Sequence, residues 1–144
     1  MQFIEIDWQS EFYDQEIQLR RELLRTPLGL TFSKAELEAE ASELHFGILD
    51  QDRVIACAVV VPKSQTHAKL RQMAVAVVHQ RAGVGTKLIG QIEAALLERG
   101  FESIELSARD VAIGFYERLG YAKVGDEFIE VSIPHWKMTK LISR

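Results

Sequence analysis

The chain has 144 residues, 47% of them hydrophobic and 26% charged, a composition that favours one folded domain with a buried core over a disordered or fibrous chain. Seventeen Lys and Arg against 21 Asp and Glu leave a net charge of −4, which argues against a general nucleic-acid partner, since that binding needs basic side chains to neutralise phosphates. A single cysteine, Cys57, excludes an intramolecular disulfide and fits a reducing, cytoplasmic setting, and no run approaches the ~20 apolar residues that would cross a bilayer.

Residues 2–7 alternate and predict a first strand, without the basic start or apolar run of a secretory leader. Phe12, Ile17, Leu19, Leu23 and Leu24 recur at helical spacing and predict a helix from Ser10, its N-cap, to Arg25, broken by Pro27 and Gly29. Ser33 and Glu36 stand in capping-box order and open a short second helix to Ala41. Arg20, Arg21, Arg25, Glu36, Glu38, Glu40 and Glu43 read as a charged, solvent-facing surface, with framing of an acceptor mouth as the sharper alternative. His45–Leu49 and Arg53–Val61 predict a hairpin around Asp50, Gln51 and Asp52, with Cys57 a small buried residue of its second strand.

Leu70–Val78 is dense in apolar, β-branched residues, as expected of a strand buried on both faces. The glycine loop Gln80-Arg-Ala-Gly-Val-Gly85 follows, then a helix with the apolar stripe Leu88, Ile89, Ile92, Ala95 and Leu96, ended by Gly100. A strand over 102–107, a helix Asp110–Leu119 stopped by Gly120, a strand at 121–125 and a last strand from 128 to 140 complete the chain. The order β-α-α-β-β-β-α-β-α-β-β is an α+β plan without repeats or linkers.

Strand, glycine loop and helix together aim main-chain N–H groups and a helix N-terminus at one spot, where a pyrophosphate can sit without a basic run. Glycine there lets phosphate oxygens reach the amides and permits positive φ. Arg81 and Lys87 can add charge-assisted contacts, against a plainer reading as a solvated face. The loop is not a P-loop, because Thr86 and Lys87 stand in the wrong order and the first glycine is missing. It is not a Rossmann fingerprint either, whose third glycine would fall at Leu88.

Gln80, Gly83 and Gly85 fit the pattern Q/R-x-x-G-x-G/A, and the loop resembles the coenzyme A loop of the GNAT family of N-acetyltransferases. Leu70-Arg-Gln-Met-Ala-Val75 is similar to that family's fourth strand, and Ala112-Ile-Gly-Phe-Tyr-Glu-Arg-Leu-Gly-Tyr121 to its A-x-x-F-Y-x-x-x-G-F/Y segment. Leu19–Gly29 and Phe128–His135 look like a subgroup of small, mostly uncharacterised bacterial members. The resemblance implies one N-acetyltransferase domain over residues 1–144, with a mixed, mostly antiparallel sheet of about seven strands flanked by about four helices. It also implies acetyl-CoA as co-substrate, and no metal. The main chain of Gln80, Arg81, Ala82, Gly83, Val84 and Gly85, continued into Thr86, would grip the diphosphate. The fourth strand would splay from the fifth and free main-chain groups of Met73, Ala74 and Val75 for the pantetheine arm and the thioester carbonyl. One N–H stabilising the oxyanion there is worth ~3 kcal/mol.

The resemblance places Tyr116 beside the cofactor sulfur. With an unperturbed pKa of ~10, it would stay protonated and donate to the leaving thiolate. Its plainer reading is an aromatic packed beside Phe115. The acceptor ammonium, pKa ~10.4, must first lose a proton. His135 and Glu130 are expected on the last strand, which borders the acceptor site in this fold, with Pro134 interrupting the pairing nearby. His135 is the candidate base, and a structural histidine or a water chain are the alternatives. Arg109 stands where many members carry Asn; a guanidinium cannot accept a hydrogen bond, so phosphate, Asp110 or Glu117 are its expected partners. His45, His67 and His79 have no carboxylate or cysteine at metal-ligand spacing, and no zinc site is expected.

The leading expectation is an acetyl-CoA-dependent N-acetyltransferase in which a primary amine attacks the thioester directly. A non-catalytic acyl-CoA-binding regulatory module on the same fold is the alternative, and it would not need Tyr116 or His135. A nucleotide-binding protein is the third reading, disfavoured by the loop order. The expected partner is a small-molecule or peptide amine, with neither nucleic acid nor membrane; a homodimer paired through an apolar final strand is open.

Overall fold

The structure is a computed structural model that describes residues 1–142; residues 143–144, the end of the expected domain, lie outside the described residues. In chain order the elements are β1 (Gln2–Glu5), α1 (Glu11–Arg20), α2 (Lys34–Ala39), β2 (Leu44–Asp50), β3 (Arg53–Pro62), β4 (His67–Val75), α3 (Val84–Glu98), β5 (Ser103–Arg109), α4 (Ile113–Arg118), β6 (Ala122–Glu130) and β7 (Ile133–Leu141). The strands form one seven-stranded sheet in the order β1-β2-β3-β4-β5-β7-β6. Among the described residues only β4 and β5 run parallel.

Local chemistry sets the element ends. Ser10 Oγ accepts from the Tyr13 N–H and starts α1. After Arg20 the helix widens into a π turn over Arg21–Arg25, then tightens at Thr26–Leu28 and stops at left-handed Gly29. Both capping-box bonds form at Ser33 and Glu36. Gln51 and Asp52, with φ of 50° and 64°, make the two-residue turn that suits the twist of β2 and β3.

The core lies on both faces of β3. Ala56, Ala58 and Val60 pack with Leu88, Ile89, Ile92 and Leu96 of α3, while Val54 and Cys57 pack with Tyr13, Ile17 and Leu19 of α1. Thus β3 is the strand buried on both faces, and the expectation for β4 is corrected. In β4 the residues Ala68, Leu70 and Ala74 are buried, but His67, Lys69, Arg71 and Met73 are partly exposed, because their face opens on a cleft. Val77 and Val78 leave the strand altogether, 68% and 87% exposed.

The C-terminal hairpin needs a second correction. β6 runs to Glu130, and β7 begins at Ile133, so residues 128–130 belong to β6. Val131 and Ser132 form the turn with φ of 45° and 64°. Left-handed backbone at a β-branched residue is uncommon, so no turn signal stood in the sequence. Pro134 does not interrupt pairing. It opposes Ile129 at a stretch where β7 has passed its last β5 pair, Arg109↔His135, so no β5 acceptor awaits its missing N–H. The irregularity is in β6, as a bulge between Val124 and Phe128. β7 lies inside the sheet between β5 and β6, which removes the expected route to a dimer through the final strand.

β4 and β5 pair over only His67↔Ser103, Ala68↔Ile104 and Lys69↔Glu105, then part. His67 fastens this short seam, with Nδ1 2.6 Å from Ser103 Oγ and Nε2 2.7 Å from Glu105.

Candidate active site

A cleft of about 480 Å³ opens where β4 and β5 separate. Lys69–Met73 and Leu106–Arg109 form its floor. The turn after α1 supplies one wall through Leu24, Arg25, Leu28 and Leu30; the β6–β7 turn supplies the other through Glu130, Val131 and His135.

A bulge aims the floor. The β3–β4 register shifts between Cys57 and Val59, and Gln72 takes φ of 54°. Met73 follows, and its Sδ accepts from the Tyr116 hydroxyl at 3.5 Å. Burial pushes the Tyr116 pKa up to about 12. Its ring also packs edge-on against Phe115 at 5.0 Å and Tyr121 at 5.8 Å, so it is a packing residue whose polar end reaches the cleft. Ala74 and Val75 pair with Cys57 and Ala56 of β3 but with no residue of β5. The Val75 carbonyl accepts from Gln80 Nε2 at 2.9 Å. The side chain of Gln80 therefore fastens the loop back to β4.

In the loop, Arg81 and Gly83 are left-handed, with φ of 64° and 79°. Gly83 is the N-cap of α3, with no capping side chain. The N–H groups of Val84, Gly85 and Thr86 thus start a 15-residue helix without acceptors from a preceding turn. Gly85 is not in the loop, as its motif position implied, but inside the first turn of α3. Its need for glycine is steric: an added Cβ would lie 3.1 Å from Met73 Cε and 3.3 Å from Phe115 Cζ. At Gly83 an added Cβ meets nothing within 4 Å, and backbone conformation alone demands glycine. Ala82 and Arg81 are exposed, and Lys87 Nζ reaches the Met1 carbonyl at 3.5 Å.

His135 is 5% exposed and stacks on Phe128. Its Nδ1 lies 2.7 Å from the Ile133 carbonyl, which can only accept, so Nδ1 carries a proton. Nε2 lies 3.6 Å from Glu130. Glu130 is on β6 rather than the last strand, and the tight turn brings the two together. Arg109, opposite His135 in register, forms no ion pair with Asp110 or Glu117 among the described residues, which leaves phosphate of its three expected partners.

The surface reading of the helix charges holds for Glu36 and Glu38, which are exposed, and is overturned for Arg20 and Glu40. Arg20 and Glu40 are 0% and 2% exposed. The Arg20 guanidinium donates to Glu16 at 2.7 Å and to Glu40 at 2.9 and 2.5 Å, and its Nε lies 3.4 Å from Gln72 Oε1 at the bulge. Tyr13 donates to Glu40, and Arg71 of β4 reaches Glu40 and Glu43. Burial opposes charge on Glu40, but the hydrogen bonds and charge of Arg20 outweigh it and lower the carboxyl pKa.

His45 lies between Glu16 and the Glu40 carbonyl, 3.0 Å from each. Both positions suit an acceptor, which favours a proton on each ring nitrogen; burial opposes the charge, but the hydrogen bond and charge of Glu16 prevail and the pKa rises. The carboxylate partners that spacing denied to the histidines are thus present in space: Glu16 for His45, Glu105 for His67 and, at 3.9 Å, Asp50 for His79. Glu16, Glu40 and His45 could hold a cation between them, and Arg20 already supplies one. One sequence signal existed. Glu16 and Arg20 share the helical face of Tyr13 and Ile17, which the fold buries.

Comparison with known proteins matches residues 2–121 to the acetyltransferase (GNAT) family. The uncharacterised protein YyaT of Bacillus subtilis (strain 168) is 38% identical over 77 residues, 54% of this chain; the match spans about half of that relative, 52%. The uncharacterised N-acetyltransferase YjcF of the same organism is 30% identical over 106 residues, 73% of this chain and 74% of its own. A crystal structure of aminoglycoside 6'-N-acetyltransferase complexed with coenzyme A superposes with a TM-score of 0.85 at 22% identity, covering 100% of this chain and 98% of that one.

Proposed function

The chain belongs to the acetyltransferase (GNAT) family, and from that membership we propose that it transfers the acetyl group of acetyl-CoA to a primary amine by direct attack on the thioester. The observation that carries this reading is the parting of β4 from β5 beyond Lys69↔Glu105: Tyr116 lines the cleft it opens, and β4 leads on through the loop into the uncapped start of α3. The main chain from Gln80 to Thr86 holds the diphosphate, helped by Arg81. Met73, Ala74 and Val75 lie along the pantetheine arm through main-chain groups that have no β5 partner. One of their N–H groups faces the oxyanion.

His135 accepts the amine proton on Nε2, because its Nδ1 is committed to the Ile133 carbonyl, and Glu130 stabilises the resulting cation. The amine nitrogen bonds to the carbonyl carbon, the carbon–sulfur bond breaks, and Tyr116 offers its proton to the departing thiolate. A hydroxyl of pKa about 12 remains protonated at neutral pH. Full transfer to a thiolate whose conjugate acid has a pKa of ~8.5 is uphill, so Tyr116 shares its proton with the sulfur as the bond breaks and is reprotonated from solvent. This chemistry calls on no metal.

Thiol release from acetyl-CoA across an amine panel tests the proposal. Tyr116→Phe is expected to lower kcat by ~10²–10⁴ while acetyl-CoA affinity holds. Tight acetyl-CoA binding with no thiol release from any amine would instead support a binding module.

A further inference from the structure

We infer that the acceptor amine carries an anionic group, a carboxylate or a phosphate, and that Arg109, seconded by Lys69, reads it; the inference rests on the acetyl-transfer reading above. The protein carries a net charge of −4, yet its cleft is lined by Arg25, Lys69, Arg71 and Arg109 against one carboxylate, Glu130. Two of these cations are neutralised from outside the lining. Arg25 meets Glu36 at 3.1 Å, and Arg71 meets Glu40 and Glu43 at 3.3 and 3.1 Å.

The other two form no ion pair among the described residues. Lys69 stands opposite Glu105 in register; against burial, His67, Lys137 and Lys69 together lower the Glu105 pKa, but the close partners are His67 at 2.7 Å and Lys137 at 3.8 Å. Arg109 has no carboxylate partner among the described residues. Its guanidinium offers the planar fork that fits a carboxylate or phosphate, and it lines the same cleft as His135.

Neither cation belongs to the loop that would hold the carrier's diphosphate, where main-chain amides suffice. Across the cleft Leu24, Leu28 and Leu30 offer an apolar wall, which suits a compact acceptor with an apolar body. A polycationic amine such as an aminoglycoside meets charge of its own sign here, with Glu130 alone to receive it, although the fold is shared with an aminoglycoside acetyltransferase.

The test uses matched acceptors that differ in the anionic group: leucine against leucinamide, phosphoethanolamine against ethanolamine, and kanamycin as the polycation. Thiol release should favour the acidic member of at least one pair by ~10-fold or more in kcat/KM, and the favoured pair tells carboxylate from phosphate. Arg109→Gln should collapse that ratio toward unity through KM. Preference for the neutral members or kanamycin overturns the inference, as does an Arg109→Gln effect that falls on coenzyme A affinity instead.

A binding arm separates this inference from the catalytic one. Calorimetry on protein saturated with coenzyme A compares N-acetylleucine with N-acetylleucinamide, and N-acetylphosphoethanolamine with N-acetylethanolamine. Tighter capture of an acid, lost in Arg109→Gln, upholds anion recognition even if no amine is acetylated; equal capture within both pairs overturns it.

Discussion

The turn into α3 and the ionic cluster beneath α1 bear on the same strand, β4, by different means. The turn presents main-chain N–H groups at the start of α3, and among the described residues its one side-chain hydrogen bond to β4 is Gln80 on the Val75 carbonyl. The cluster acts through side chains drawn from α1, the end of α2, β2 and β4, and it meets β4 at Gln72 and Arg71. Backbone work tolerates many side chains but only certain backbone angles. Side-chain work tolerates ordinary backbone, but it fails when one charge is removed.

Arg20→Met breaks the comparison most severely. It leaves the buried Glu16 and Glu40 with only His45 and the partly exposed Arg71 as counter-charges, and a stability loss of about 3–5 kcal/mol is expected by urea titration. A loss near zero would mean that solvent reaches the cluster and the contrast is false.

The paired substitutions Gly83→Ala and Gly85→Ala sharpen the other side. At Gly83 the cost is left-handed strain, about 1–2 kcal/mol, with no clash. At Gly85 the added methyl presses on Met73 Cε and the Phe115 ring, ends of side chains that can yield; turnover should fall more than stability, because Met73 holds the Tyr116 hydroxyl. Equal effects of the two changes on melting and on kcat would remove the distinction between them.

His45→Gln gives an effect of similar size to Gly83→Ala, with a pH signature. The folded pKa of His45 is raised, so its contribution is complete below the unfolded value of ~6.5 and is lost as pH rises through the folded value. The deficit of the variant, about 1–3 kcal/mol, should be larger at pH 5.5 than at pH 9. Glu40 has a lowered pKa and behaves oppositely: its contribution is present above ~4.3 and lost as pH falls through its folded value. A variant deficit that grows with pH would contradict the charged state of His45.

The same contrast explains what the sequence disclosed. Gln80, Gly83 and the Leu88–Leu96 stripe lie within 17 residues of one another, and local spacing is what a sequence displays. The caps at Ser10 and Ser33, the β2–β3 hairpin and the parting of β4 from β5 were legible for that reason or through the resemblance. Glu16, Glu40 and His45 meet only after folding, and each alone looks like a surface residue or an isolated histidine. Gly85 was legible as a glycine but not for its reason, since Phe115 arrives from 30 residues away. Val131 hid the β6–β7 turn because its side chain disfavours the angle it adopts.

The short seam between β4 and β5 has a thermodynamic consequence. Main-chain bonds stitch the two halves of the sheet together over only three residue pairs. On the proposed reading, the amides of the acyl carrier act as a surrogate strand for the unstitched length. Heat tolerance should then track occupancy, gaining about 2.7 kcal/mol at a carrier concentration one hundred times its dissociation constant.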